Sequence, residues 1–319
     1  MKQAGTIIDR QQRPTPEGAA AANPYPLPLS SRRLTALAWA ATVLVSALPD
    51  IIWDTWAGAV PAWLWGAKLS LLLTFGLAAL IVDPLRPLRN YFLIMAAMFG
   101  LSELRGRLNF SLGGLQRLFG GSVFDQRMQA EQIGKLAVAL AVIATLFALG
   151  YRRRNAFLTR GDLRAPIEPV RLLGFPRPDP WPRFGLQWAA YIALGLAVVQ
   201  YLGLRPSGAT LLKVVPILPS ILFYAALNAF NEEVTYRVPM LATLEPVGGS
   251  RQAMWMAAYF FGIAHYFGTP GGIVGAIVSI FMGWILGKAM VETRGLFWSW
   301  WIHVLSDIVI FVFLAAKLM

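Results

Sequence analysis

The chain has no cysteine and only two histidines, His265 and His303, in 319 residues. The missing thiols exclude a disulfide framework, a thiolate metal site and a cysteine nucleophile, whichever compartment the protein occupies. Its chemistry must use oxygen and nitrogen. Charge is scarce too: Asp, Glu, Lys and Arg make up 14% of the residues, against roughly 25% in an ordinary soluble domain. Apolar types reach 57% and the mean hydropathy is +0.56, which specifies a polytopic membrane protein embedded in a lipid bilayer. The net charge of +12 does not imply a nucleic-acid partner. The basic residues lie between apolar stretches rather than along an amphipathic face, so topology signalling accounts for them.

Residues 1–30 are polar and proline-rich (Pro14, Pro16, Pro24, Pro26, Pro28) and lack the apolar run of a signal peptide, so they read as a disordered cytoplasmic tail. Ser31-Arg32-Arg33-Leu34 has the look of a twin-arginine export signal, but the many spans that follow make it a positive flank holding the first span inside. Apolar segments fall at about 34–52, 62–82, 90–104, 134–151, 185–204, 213–240, 252–267, 271–291 and 296–316. The expectation is an all-α bundle of eight or nine transmembrane helices. Glu103 to Gln132, with Arg105, Arg107, Arg117 and Arg127 among leucines and phenylalanines, is expected along the membrane interface. Residues 152–184 carry eight arginines from Arg152 to Arg183 together with several prolines, which assigns them to a basic cytoplasmic loop. That loop separates an accessory transmembrane region, 31–151, whose spans hold few polar groups, from a core, 185–319, holding every candidate catalytic residue. Arginine well in excess of lysine points to a GC-rich bacterium and its inner membrane.

Two patterns in the core read as structural. Gly271, Gly275, Ser279, Gly283 and Gly287 recur at every fourth position, a stripe of small residues that lets a neighbouring backbone approach closely where lipid offers no hydrophobic drive for association. Trp298, Trp300 and Trp301 at the start of the last span read as an interfacial aromatic belt.

The polar residues of the core are of another kind. A charge at membrane depth costs about 2.5 to 3.5 kcal/mol on insertion scales, yet Asn231-Glu232-Glu233-Val-Thr-Tyr-Arg237 directly continues an apolar run. Glu233 and Arg237 share a helix face and can neutralise each other. Glu232, turned by about 100° from its neighbour, is expected to point elsewhere, which divides the doublet into one structural and one free carboxylate. His265 shares a face with Phe261, and His303 with Asp307, again at a spacing of four. A carboxylate there can fix the imidazole's tautomer. Three apolar helices thus offer polar groups that can meet at one level.

These three motifs, in this order, resemble the CPBP family of intramembrane proteases, which includes CAAX endopeptidases and Abi-type proteins and carries Glu-Glu-x-x-x-Arg, Phe-x-x-x-His and His-x-x-x-Asn or Asp on successive helices. The resemblance covers about residues 213–316. It implies that Glu232 is a general base, that His265 helps it hold a water, that His303 and Asp307 stabilise the oxyanion, and that Glu233 with Arg237 and Phe261 give structural support. Where the family often has asparagine, this chain has Asp307, which if ionised repels an oxyanion; it is expected to orient His303 or to be protonated. An endopeptidase acting on a membrane-associated protein or peptide follows.

Glu232, His265 and His303 also have the composition of a catalytic zinc site, but no His-Glu-x-x-His pair is present. The metal-free reading is preferred, with zinc as the alternative cofactor. Two other classes use the same residues. A non-catalytic Abi-type immunity or scaffold protein is one. A transporter is the other, against which stand the lack of an evident inverted repeat and of paired interrupted helices.

Overall fold

The computed structural model describes residues 31–319; the expected tail, 1–30, lies outside the described residues. Among these the chain is helical, with two isolated β-bridges and no strand. The helices are α1 (Ser31–Val45), α2 (Leu48–Ala57), α3 (Trp63–Ile81), α4 (Arg89–Arg107), α5 (Gly113–Leu118) and α6 (Val123–Ala148), followed after an irregular segment by α7 (Trp181–Leu204), α8 (Gly208–Val214), α9 (Leu218–Glu232), α10 (Val238–Ala264), α11 (Gly272–Thr293) and α12 (Phe297–Lys317). Local chemistry sets several of these starts. Pro182 and Pro219 sit in the first turns of α7 and α9, where a missing N–H costs nothing. Ser122 caps α6 reciprocally with Asp125: Ser122 Oγ accepts from Asp125 N at 3.1 Å and the Asp125 carboxylate accepts from Ser122 N at 3.0 Å.

All nine apolar segments are helical, but six runs among the described residues are long and apolar enough to cross a membrane, or seven if α1 and α2, bent by 41°, form one span. The difference from eight or nine has two sources. α4 is too polar to qualify and is covered by protein instead, with Tyr91, Phe92, Ile94 and Met95 fully buried. One run, Gly208–Phe267, is 60 residues long, about 90 Å at 1.5 Å per residue, three times the ~30 Å of hydrocarbon. Gly249, at φ 79° and ψ 164°, breaks α10 in a conformation that L side chains avoid, and the run forms two legs. The expected interfacial stretch from Glu103 to Gln132 is partly protein-covered. α6 already starts at Val123, and its Asp125, Gln129 and Gln132 are fully buried.

The small-residue stripe packs α11 against the second leg of α10. A Cβ at Gly283 would lie 3.1 Å from Ala258 Cα, and one at Gly287 2.9 Å from Met254 Cγ. The partner surface carries its own glycine, Gly262, where a Cβ would meet Ile280 N at 2.3 Å. Gly275 instead faces the connector before α11, and Gly271 precedes the helix. Two of the three tryptophans expected in an interfacial belt are also tied to protein. Trp298 is 5% exposed, its Nε1 donates to Leu163 O at 3.0 Å, and Trp300 Nε1 donates to Ala226 O at 2.9 Å. Both indoles are anchored in protein. The arginine-rich segment is folded onto the α11–α12 turn: Asp162 N donates to Thr293 O and Leu296 N to Thr159 O, each at 2.8 Å. Gly161 and Gly295 approach so closely there that a Cβ on Gly295 would sit 2.3 Å from Gly161 N.

Candidate active site

Between α9 and α10 the backbone makes a π-helical turn, Glu233–Arg237, a local widening common at functional sites. It carries the Glu-Glu-x-x-x-Arg motif into the bundle. Glu233 and Arg237 form an ion pair with both side chains 0% exposed, as the spacing predicts. The Arg237 guanidinium also lies 4.8 Å above the Phe261 ring, a favourable cation–π distance. Glu233 accepts in addition from Ser299 Oγ and from His303 Nδ1, the latter at 2.8 Å.

Glu232 does not point away from this group. Its Oε2 lies 3.6 Å from His303 Nε2, so adjacent carboxylates occupy opposite nitrogens of one imidazole. A flat ring with nitrogens on two sides bridges the angle between consecutive helix positions. Glu232 is not free either, since Lys135 Nζ on α6 donates to its Oε1 at 3.0 Å. It differs from Glu233 in access: its side chain is 15% exposed where Glu233 has none. His303 Nε2 also faces Asp307 Oδ2 at 3.7 Å, and that oxygen accepts from Asn228 Nδ2 at 2.9 Å.

His265 closes α10 at the start of a 3₁₀ turn, and its Nδ1 lies 3.0 Å from Phe261 O. A carbonyl only accepts, so Nδ1 carries the hydrogen and Nε2 keeps its lone pair. The Phe261 ring lies 4.5 Å from the His265 ring and 5.8 Å from that of His303, separating the two imidazoles. The structure therefore gathers Glu232, Glu233, Arg237, His303 and Asp307 directly and His265 around Phe261.

A cavity of about 490 Å³ opens beside this cluster. Glu232, Phe261 and His265 form one wall; Asp50, Lys68, Met98 and Phe99, from α2, α3 and α4, form the other. Lys68 is buried and paired with Asp50. His303 and Asp307 do not border this cavity; they stand behind Glu232, each nearly fully buried.

Sequence reasoning misses the support supplied by α6. Lys135 Nζ reaches Glu131 at 3.0 Å and Asn228 Oδ1 at 2.8 Å besides Glu232. Gln132 Nε2 donates to Asn228 Oδ1 at 2.9 Å, and Asn231 Nδ2 to Gln132 O at 3.0 Å. Asn228 was within reach of the sequence, lying four residues before Glu232 on the same face. Lys135 carries a weaker signal, one lysine near the start of an apolar run where basic residues also mark topology.

The zinc set fits poorly. Among the described residues no three His, Asp or Glu side chains converge on one ion position. Glu232 is bound to an ammonium group that competes with a cation, and the Phe261 ring stands between the two imidazoles.

Fold and site together define an all-α polytopic membrane protein whose buried carboxylate–imidazole cluster opens on a cavity inside the bundle. The sequence profile of the type II CAAX prenyl endopeptidase Rce1-like family matches residues 214–309, about a third of the chain, and through this segment the chain is similar to the CPBP/CAAX intramembrane proteases. The matched segment contains Glu232, His265, His303 and Asp307 and leaves out Lys135. No curated protein and no solved structure matches the chain.

Proposed function

We propose that the protein is an endopeptidase that hydrolyses a peptide bond of a membrane-associated protein or peptide with a water activated by Glu232. The observation that carries this reading is that Glu232, the accessible member of the doublet, shares a cavity wall with His265, whose Nε2 lone pair is available. A water between them loses a proton to Glu232 as its oxygen attacks the peptide carbonyl. The same carboxyl then returns that proton to the leaving amine.

The other residues hold this pair in place. Lys135 fixes Glu232 Oε1 and leaves Oε2 toward His303. Three buried carboxylates, Glu232, Glu233 and Asp307, face two permanent cations, Lys135 and Arg237; a proton on His303, which touches all three, removes the imbalance. The burial of His303 and Asp307 behind Glu232 supports positioning of the base as their contribution, in place of direct contact with an oxyanion. A metal-free mechanism, a bacterial inner membrane and a cytoplasmic N-terminus complete the reading. Substrate classes that accord with the family are prenylated CAAX proteins, bacteriocin-like peptides and C-terminal membrane anchors, and a bacterial source disfavours the first.

Comparative terminal-peptide proteomics of membranes containing wild-type protein or Glu232→Gln tests the assignment. New termini present with wild type and absent with the variant are expected; identical terminal peptides in both would leave the immunity or scaffold class and the transporter.

A further inference from the structure

A second concavity, about 550 Å³, lies where α6 and α9 meet the start of α12 and the Arg152–Arg160 segment. Its floor is apolar, with Ile143 and Phe147 from the last turns of α6, Phe230 from α9 and Phe297 from α12. Its rim carries Arg153 and Arg160, both exposed and neither ion-paired with any described residue. The rim is held in place. Leu158 N donates to Arg153 O at 2.8 Å, and Thr159 is bound to the α11–α12 turn through both its carbonyl, at 2.8 Å, and its hydroxyl, at 2.9 Å.

Two guanidinium groups on an anchored backbone, without carboxylates, ask for an anion, and the apolar floor asks for hydrocarbon. The volume falls in the roughly 300–1,000 Å³ typical of sites for whole ligands and far exceeds what an inorganic anion needs. The arginines stand beyond the end of α6, while Ile143 and Phe147 run back along a helix long and apolar enough to span the membrane. Charge and grease are thus ordered along the membrane normal as in a lipid. We propose that this groove binds an anionic phospholipid, its phosphate between Arg153 and Arg160 and the first part of an acyl chain along Ile143 and Phe147 against Phe230. Basic pockets at the ends of membrane helices hold such headgroups. The lipid would brace the α9–α12 seam: Phe230 lies two residues before Glu232, about 200° around the helix from it, and Trp300, on the same groove, is bound to α9 through Ala226 O.

The test is native mass spectrometry of delipidated protein in detergent, titrated with phosphatidylglycerol or with phosphatidylcholine of the same acyl chains. One arginine near an anionic headgroup changes affinity about fivefold, so Arg153→Gln with Arg160→Gln should weaken phosphatidylglycerol binding roughly thirtyfold and leave phosphatidylcholine unchanged. Each single variant should show about a fivefold loss, which keeps the test available if the double variant is poorly expressed. Wild-type protein binding both lipids equally, or the variants retaining full phosphatidylglycerol affinity, would overturn the proposal. So would displacement of the lipid by millimolar inorganic phosphate, which would make the groove a site for free anions. The readout is independent of proteolysis, so it stands or falls separately from the assignment of Glu232.

Discussion

At Arg237 the loss of one side chain strands the most. Its partner Glu233 has no solvent access, and removing one member of a buried pair typically costs about 3 to 5 kcal/mol. Arg237→Ala should therefore lower the thermal stability and folded yield in detergent, and a variant as stable as wild type would contradict the pairing. Lys135 separates position from stability. Lys135→Met leaves Glu232 Oε1 unheld, and a displacement of about 1 Å in a reacting group costs on the order of 100-fold. The expectation is a fall in kcat of that order with KM little changed, largely rescued by Lys135→Arg, which keeps the charge and a donor. Equal kcat for Lys135→Met and wild type would remove the lysine from the site. The motif residues were legible because four-residue spacing on apolar helices aligns polar groups on one face. The convergence of Glu232 and Glu233 on one imidazole was not, because it depends on where α12 sets His303, a tertiary fact that no local angle contains. Lys135 was obscured by a competing reading, since a lysine near a span end also serves topology.

Among the elements, α11 and its partner leg of α10 are set by backbone proximity. Gly275→Leu would force a Cβ to within 1.6 Å of Pro270 O and 2.9 Å of His265 O, so it should displace the turn that carries His265 and cost both stability and cleavage. Gly195 on α7 is the contrast, with open space around its Cβ position; Gly195→Ala should be neutral or stabilising by up to about 1 kcal/mol. Thermal melts of the two variants check both statements, and a stable, active Gly275→Leu would show that the connector yields. The stripe itself was visible in the sequence, whereas its partner was not. Gly262 stands alone in an aromatic run, and only the crossing of α10 and α11 shows that Ile280 needs its space. The seam contacts of Trp298 and Trp300 were not legible because an indole suits a lipid interface and a protein seam equally. The carbonyls of Leu163 and Ala226 show the seam.

For the whole molecule, the matched segment is not the whole site. The cavity's second wall comes from α2, α3 and α4, and Lys135 comes from α6. Residues 185–319 expressed alone should therefore fail to cleave even if they insert; activity from that fragment would show the upstream helices to be dispensable. The helical, membrane-embedded character of the chain was evident from composition, and the count of eight or nine spans was loose, since α4 is buried by neighbours whose positions composition does not describe. Prolonged treatment with a strong chelator should leave cleavage intact. Zinc-restored activity after chelation, with stoichiometric zinc by elemental analysis, would replace the metal-free mechanism. The most direct measurement is single-turnover cleavage of an identified substrate peptide in proteoliposomes by wild type and by folded, inserted Glu232→Gln. General acid–base catalysis contributes roughly 10²- to 10⁴-fold, and the amide keeps the shape while removing the basicity, so the account predicts a loss of at least about 100-fold. A rate within about tenfold of wild type would contradict the assignment of Glu232 as the base.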